Sequence, residues 1–247
     1  MQRAPKASKN RDIGNYIGKK FALHLTMVPL QSGIGCDKNR RDTMAFHRAI
    51  IHDAIGADPR KNRTIRESPG GTLTIVPVSD HAQILAVATA LADQGVDRIE
   101  LCGGIPMHVR SALQGAIGNR VQISAVLFGI ESIVPAAAFN AAFNDGHPPR
   151  EAFIILHDGD DPGADRLVHN FPPQQTTFAF VPDEASAAAA AAEFAASGFG
   201  LIELYGDFTT KGASDVIAAV NGRAPVGVGS LAVDAFKRVS NSAHLVG

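Results

Sequence analysis

Short apolar runs, each closed by glycine, proline or an acid, punctuate the chain from residue 49 onward. The runs at 49–51, 72–78 (TLTIVPV), 98–102 (RIELC) and 122–128 have the length and β-branched content of strands. Two longer segments separate the later runs. The first opens at Ser79 or Asp80, either of which can cap a helix, and stops at Gly95. The second opens on Pro106, suited to a first helical turn, and ends near Gly118 and Asn119. The same order returns downstream, with strands at 152–157, 176–181, 200–205 and 225–231 and helices at 184–197 and 210–220. Strands without clean polar alternation fit a sheet covered on both faces, and a β-α-β-α-β order fits parallel pairing with right-handed crossovers.

The recurrence is a duplication. GVDRIELCGG at 95–104 returns as GFGLIELYG at 198–206. With Glu100 laid on Glu203, Gly95 meets Gly198, Gly103 meets Gly206, Arg120 meets Arg223 and Glu131 meets Asp234. Upstream, Asp58, Pro59 and Arg63 match Asp161, Pro162 and Arg166 at the same spacing, and Val76-Pro77 matches Val181-Pro182 with a two-residue length difference. His52-Asp53 and His157-Asp158 each follow an apolar run. Self-similarity of this kind marks one structural unit written twice. The predicted fold class is therefore α/β, a tandem repeat of two β-β-α-β-α-β Rossmann-like modules with mainly parallel sheets, related by a pseudo-twofold axis. An eight-stranded barrel is the alternative, disfavoured because only four crossover helices are legible where a full barrel carries eight. The expected division is a basic, flexible N-terminal extension at 1–43, a first module at 44–133, a linker at 134–150 with an alanine-rich, helix-prone piece, and a second module at 151–247. A further strand is expected at 21–30.

Composition narrows the partners. At 45% hydrophobic and 19% charged residues the 247-residue chain is globular in character. Its two cysteines, Cys36 and Cys102, give no disulfide framework, which suits a reducing compartment and a cytoplasmic location. No apolar run approaches the ~20 residues of a membrane span. Residues 1–43 hold nine Lys and Arg against three Asp, a net charge of +6; residues 44–247 hold fourteen against twenty-one acids, a net charge of −7. Acidic modules without aromatics interleaved among Lys and Arg give nucleic-acid binding no support. No P-loop, dinucleotide glycine fingerprint or GxSxG elbow is present. A homo-oligomer is compatible with the sequence.

Parallel α/β sheets bind ligands beyond the C-terminal ends of their strands. That rule selects His52, Asp53, Cys102, His157 and Asp158 as candidate catalytic residues, together with Glu100 and Glu203 inside apolar strands. A buried carboxyl must be paired, hydrogen-bonded or protonated. Each glutamate is thus either a general acid or base of raised pKa, or half of an ion pair with its module's arginine, Arg63 or Arg166. Cys102 is either a nucleophile at a helix N-terminus or a small apolar filler. The glycine turns at Gly103, Gly104 and Gly206 lead into helix N-termini, where free N–H groups attract anions. Thr209, Thr210 and Lys211 add hydroxyls and a charge there. A divalent metal is a weaker expectation, resting on His52-Asp53 with Asp58 and on His157-Asp158 with Asp160 and Asp161. No cofactor is indicated beyond that.

GVDRIELCGG, the upstream GADP with its arginine and the late strand followed by an acid resemble a bacterial family of small α/β domains of unknown function. The resemblance covers 48–131 and, more loosely, 151–234, with departures at Tyr205 and Asp207. It implies a fold unit and no transferable activity. The shorter string DRIELC also occurs in the copper homeostasis barrel family, too brief a match to carry a barrel or a copper role. The candidate residues together point to an enzyme acting on a small anionic metabolite by acid/base chemistry, of lyase, isomerase or hydrolase type. The alternative is a non-catalytic small-ligand-binding or assembly module.

Overall fold

In the first module the apolar runs become β1 (Arg48–Asp53), β2 (Thr64–Ser68), β3 (Gly71–Val78), β4 (Arg98–Leu101) and β5 (Gln122–Phe128), with α1 (Ile84–Asp93) and α2 (Met107–Ala116) between the later strands. The second module repeats this as β6 (Glu151–Leu156), β7 (Arg166–Phe171), β8 (Gln174–Val181), α4 (Glu184–Ala196), β9 (Leu201–Tyr205), α5 (Thr210–Val220) and β10 (Val226–Leu231). The alanine-rich piece between them is α3 (Ile133–Asn144). These elements come from a computed structural model, which describes residues 46–68, 70–157 and 165–231. The N-terminal extension, the strand expected at 21–30 and Asp158, Asp160, Asp161 and Asp234 lie outside the described residues.

The modules start their first crossover helices in the same way. The Asp80 side chain accepts the Ala82 N–H and opens a 3-10 turn into α1, and Asp183 accepts the Ser186 N–H at the start of α4. Either bond satisfies one of the N–H groups that a helix start leaves unpaired.

The ten strands among the described residues form one sheet in the order β2-β3-β1-β4-β5-β10-β9-β6-β8-β7. Read from either end, the order is the same under exchange of the modules. β5 and β10 meet antiparallel, and their pairing is centred on Val126 opposite Gly229. Those two residues are separated by the same interval as Glu100 and Glu203, so each is the other's counterpart and the pseudo-twofold axis passes between them. Within each module the first strand pairs parallel with its third and fourth, and the second strand lies antiparallel at the sheet edge.

Each module has a fifth strand, β2 or β7, which the expected β-β-α-β-α-β order lacks. Both are short edge strands carrying charged or polar side chains, a composition that protects sheet edges and hides them from apolar pattern. The register also moves two matches. Ile50 pairs with Glu100, and Phe153 with Glu203, so Ile50 and Phe153 are counterparts. By the same spacing His52 corresponds to Ile155, and His157 to Ala54. The His-Asp pairs of the two modules are therefore not symmetry mates. Val181 corresponds to Val78 rather than to Val76.

The sheet is curled. Its outer face packs Ala152, Ile154, Ala179, Ile202 and Leu204 against α4 and α5, and the first module packs α1 and α2 similarly. Its inner face closes on itself around Ile50, Ile75, Phe153, Phe178, Phe180 and Tyr205, all buried. Burial of each such side chain contributes roughly 1.5–3 kcal/mol. The second cover expected for apolar strands is thus the sheet's own opposite wall. The edges meet through Arg66 on Asp165 at 2.7 Å and Thr64 Oγ1 with His169 Nε2 at 3.2 Å. His52 Nε2 reaches His169 Nδ1 at 3.3 Å across the same seam.

Glu100 lies on this inner wall, 2% exposed, and its cation is Arg48 of the neighbouring strand, Nη1 to Oε2 at 3.7 Å. Neither Arg63 nor Arg166 serves, contrary to expectation: Arg63 donates to Pro59 O and Arg166 pairs with Glu193. Arg48 also donates to Leu156 O at 2.7 Å, from the other module. Removing the cation leaves an uncompensated buried carboxyl. Arg48→Met is expected to cost about 3 kcal/mol in urea unfolding, with part of the loss recovered in Arg48→Met/Glu100→Gln. Equal stability of the single variant and the wild type would contradict the pairing.

Candidate functional site

Two glutamates on opposite walls reach across the twofold axis. Glu203 Oε1 accepts the Gly103 N–H at 2.9 Å, and Glu100 Oε1 accepts the Gly206 N–H at 3.0 Å. The bonds are symmetry mates. They explain the glycines: a Cβ on Gly103 would stand 2.7 Å from Glu203 Oε1, and Gly206 has φ +101 with Arg48 Nη1 at 2.9 Å. The place expected for an anion at each glycine turn is therefore filled from within, by an acceptor oxygen of the other module's carboxyl. The N-terminus of α5 is filled likewise. Glu184 accepts from Thr209 N and Oγ1, and Thr209 Oγ1 accepts the Gly212 N–H as the helix cap. Thr210 begins that helix, and Lys211 pairs with Asp215 one turn on.

A cavity of about 560 Å³ opens at the C-terminal ends of β1, β3 and β4. Its far wall comes from the starts of β6, β8 and β9, and α3 covers one side. Five of the expected catalytic or turn positions line it: Asp53, Cys102, Gly103, Gly104 and Glu203. Sequence reasoning missed Glu151, Gln174, His81 and the phenylalanines Phe139 and Phe143 of α3. The signal for Glu151 was available: constant spacing sets it opposite Arg48, a reversal of charge at one position of the repeat.

That reversal shapes the electrostatics. Glu100 has Arg48, whereas Glu203 has Glu151 nearby and, among the described residues, no cation. Burial, with the Tyr205 hydroxyl bond opposing it and Glu151 adding to it, pushes the Glu203 pKa up to about 8. Burial raises Glu151 to about 7, against the bonds it accepts from Thr176 at 2.6 Å and Gln174 at 2.9 Å. Asp53 is raised by burial, partly offset by His81, whose Nε2 lies 2.8 Å from Oδ1. Cys102 sits 3.8 Å from Asp53 Oδ2, and burial followed by the charges of Asp53 and Glu203 drives its pKa well up. It is a thiol at neutral pH, a poor nucleophile. Glu100 is also raised by burial, with Arg48 the main opposing influence.

Other expected residues lie elsewhere. His52 is fully buried, edge-on to Phe153 and Phe178, and burial followed by His169 lowers its pKa to about 3. It is a neutral core residue and lines neither cavity. His157, packed on Phe180, lines a second cavity of about 660 Å³ at the opposite end, with Arg48, Asp183, Asp207 and Thr209. Asp58 caps its own loop, accepting the Arg60 N–H at 2.9 Å. Among the described residues no cluster of three or more His, Cys, Asp or Glu stands ready to hold a metal. No helix among them is long and apolar enough to cross a membrane.

Fold and register define a duplicated α/β protein in which two like domains share one twofold-symmetric sheet. The chain belongs to DUF6506, a family of unknown function, whose model matches it twice, at residues 44–141 and 149–241. A comparison with curated proteins finds no match. Among solved structures, a carbohydrate transporter from Acidothermus cellulolyticus in complex with myo-inositol is 14% identical at a TM-score of 0.25, covering 74% of this chain and 73% of that one. An ABC transporter solute binding protein from Clostridium phytofermentas with bound L-rhamnose is 11% identical at 0.26, covering 73% and 68%. Agreement this loose carries no argument about ligand or activity.

The raised carboxyls set the pH response. The fold holds protons on Glu203 and Glu151 up to about 8 and 7, where an unfolded chain releases them near the ordinary 4.5. Their stabilising contribution is complete below that value and is lost as pH rises through 7 and 8. Glu203→Gln is expected to flatten the decline in urea stability between pH 5 and 9. A variant with the wild-type slope would show that Glu203 is ionised throughout.

Proposed function

We propose that the protein binds a small organic molecule in the cavity between the ends of β1, β3 and β4 and α3. The observation that carries this reading is the make-up of the walls. Phe128, Phe139, Phe143 and Phe153 supply an apolar side, while Asp53, Glu151, Glu203, Gln174 and Asn140 converge from other elements. A mostly apolar hollow with a few convergent polar groups is the usual form of a small-molecule site. The duplication left one such end with buried, uncompensated carboxyls and the other with Arg48, so the two cavities are chemically distinct. The anionic metabolite expected from the sequence suits this cavity poorly: among the described residues its wall holds four carboxyl side chains and no Lys or Arg, and the N–H of Gly103 is already taken. The buried free thiol of Cys102 suits a reducing, cytoplasmic setting.

One observation favours a catalytic reading beside simple binding. Glu151 and Glu203, at about 7 and 8, are poised to exchange protons near neutral pH. In that reading Glu151 or Asp53 acts as general acid or base on the bound molecule, and Glu203 holds the Gly103 turn.

The test is a thermal-shift screen of small neutral, cationic and anionic organic compounds, run on the wild type and on Ala136→Trp, which fills the cavity from α3. Compounds that raise the wild-type Tm by several degrees are expected to leave the filled variant unmoved. Absence of any stabilising compound, or equal shifts in both proteins, would remove the cavity as a site.

A further inference from the structure

Resting on that reading, we infer that the cavity is built for an organic cation: a protonated amine on a compact apolar body, with its ammonium group against Glu151. Glu151 is 5% exposed and lines the cavity, yet both of its hydrogen bonds, from Gln174 and Thr176, end on Oε1. Oε2 has no hydrogen-bond donor among the described residues. The side chain is nine-tenths buried while Oε2 stays open to the cavity, and an ammonium group is the donor that can reach it and also supply charge.

The surroundings select a cation over a neutral donor. Asp53 of β1, Glu203 of β9, Asp80 before α1 and Glu151 of β6 bring four carboxyls to one cavity. The thiol of Cys102 after β4 and the imidazole of His81, which is bound to Asp53, are the other titratable groups facing it. Gln174 and Thr176 of β8 are neutral, and α3 contributes only Asn140 and Asn144 as polar side chains. Phe139 and Phe143, with ring centroids 6.4 Å apart on α3, add aromatic faces that attract cations. An ammonium group placed here supplies what Arg48 supplies at the symmetric position beside Glu100. Its entry favours the ionised carboxylates, so binding expels protons and strengthens as pH rises, provided the amine itself stays protonated.

Three probes of one shape test the inference by calorimetry: benzylamine, benzyl alcohol and benzoate. Benzylamine is expected to bind at least tenfold more tightly than benzyl alcohol, with benzoate inert. Its affinity should increase severalfold from pH 6 to 8, and titrations in buffers of different ionisation enthalpy should show net proton release. Glu151→Gln should weaken benzylamine at least tenfold and abolish most of that release while leaving benzyl alcohol unchanged. Preserved binding of the alcohol shows that the variant is folded. Glu131→Gln, an exposed acid outside the cavity, should bind as the wild type does. The inference is overturned if the alcohol or benzoate binds as well as the amine, if no probe binds at millimolar concentration, if affinity falls with rising pH, or if Glu151→Gln leaves it unchanged. Neutral or anionic compounds that bind the wild type but not Ala136→Trp would keep the cavity as a site and reject only the cation. A screen in which nothing binds rejects both.

Discussion

Two hydrogen bonds that cross the twofold axis hold the architecture to its shape. Glu100 of the first module accepts from the Gly206 turn of the second, and Glu203 accepts from the Gly103 turn of the first. Each carboxyl satisfies a turn whose N–H would otherwise face the interior of a curled sheet, where an unpaired donor is costly. Each turn must be glycine because the carboxyl or Arg48 occupies the space of a Cβ. The antiparallel pairing centred on Val126 and Gly229 sets the register that brings these partners opposite one another. Motif and fold are therefore one constraint: the sequence that recurs around each glutamate is the sequence needed to receive the other glutamate.

Symmetry in the backbone permits asymmetry in charge. The counterpart of Arg48 is Glu151, so one glutamate has a cation and the other a second carboxyl. The counterpart of Cys102 is Tyr205, whose buried hydroxyl donates to Glu203. A duplicated scaffold held together by main-chain contacts tolerates such exchanges, because the bonds to Gly103 and Gly206 do not depend on what lies beside them. The outcome is one end with an internal ion pair and one end whose buried glutamates are held by neutral donors.

Much of this was legible in the chain. The duplication, Glu100 and Glu203 as its anchors, Asp53 and Cys102 at strand ends, and the bounds of α5 follow from apolar runs, caps and glycines. Edge strands β2 and β7 were not legible, because half-exposed strands with Arg, Glu, His and Asn lack an apolar signature. His52 looked like chemistry because it adjoins Asp53. Strand alternation turns it into the core beside Ile50 and its aromatic neighbours, while Asp53 at the strand end reaches the cavity. The glycine turns offer their N–H groups to an acceptor, as their sequence suggests, but no local pattern reveals that the acceptor is a carboxyl of the other module. Glu151 was hidden by aligning His157 with His52; the strand register, not the motif, exposes the exchange with Arg48.

The most direct test is a carboxyl carbon NMR titration of glutamate-labelled protein, with Glu203→Gln used to assign the resonance. The Glu203 side chain should titrate near pH 8, as a buried acid bonded to Gly103 and lacking a cation must. A midpoint at the ordinary glutamate value of 4.5 would mean that its environment is neither as buried nor as uncompensated as the geometry requires, and the asymmetry between the two halves would go with it.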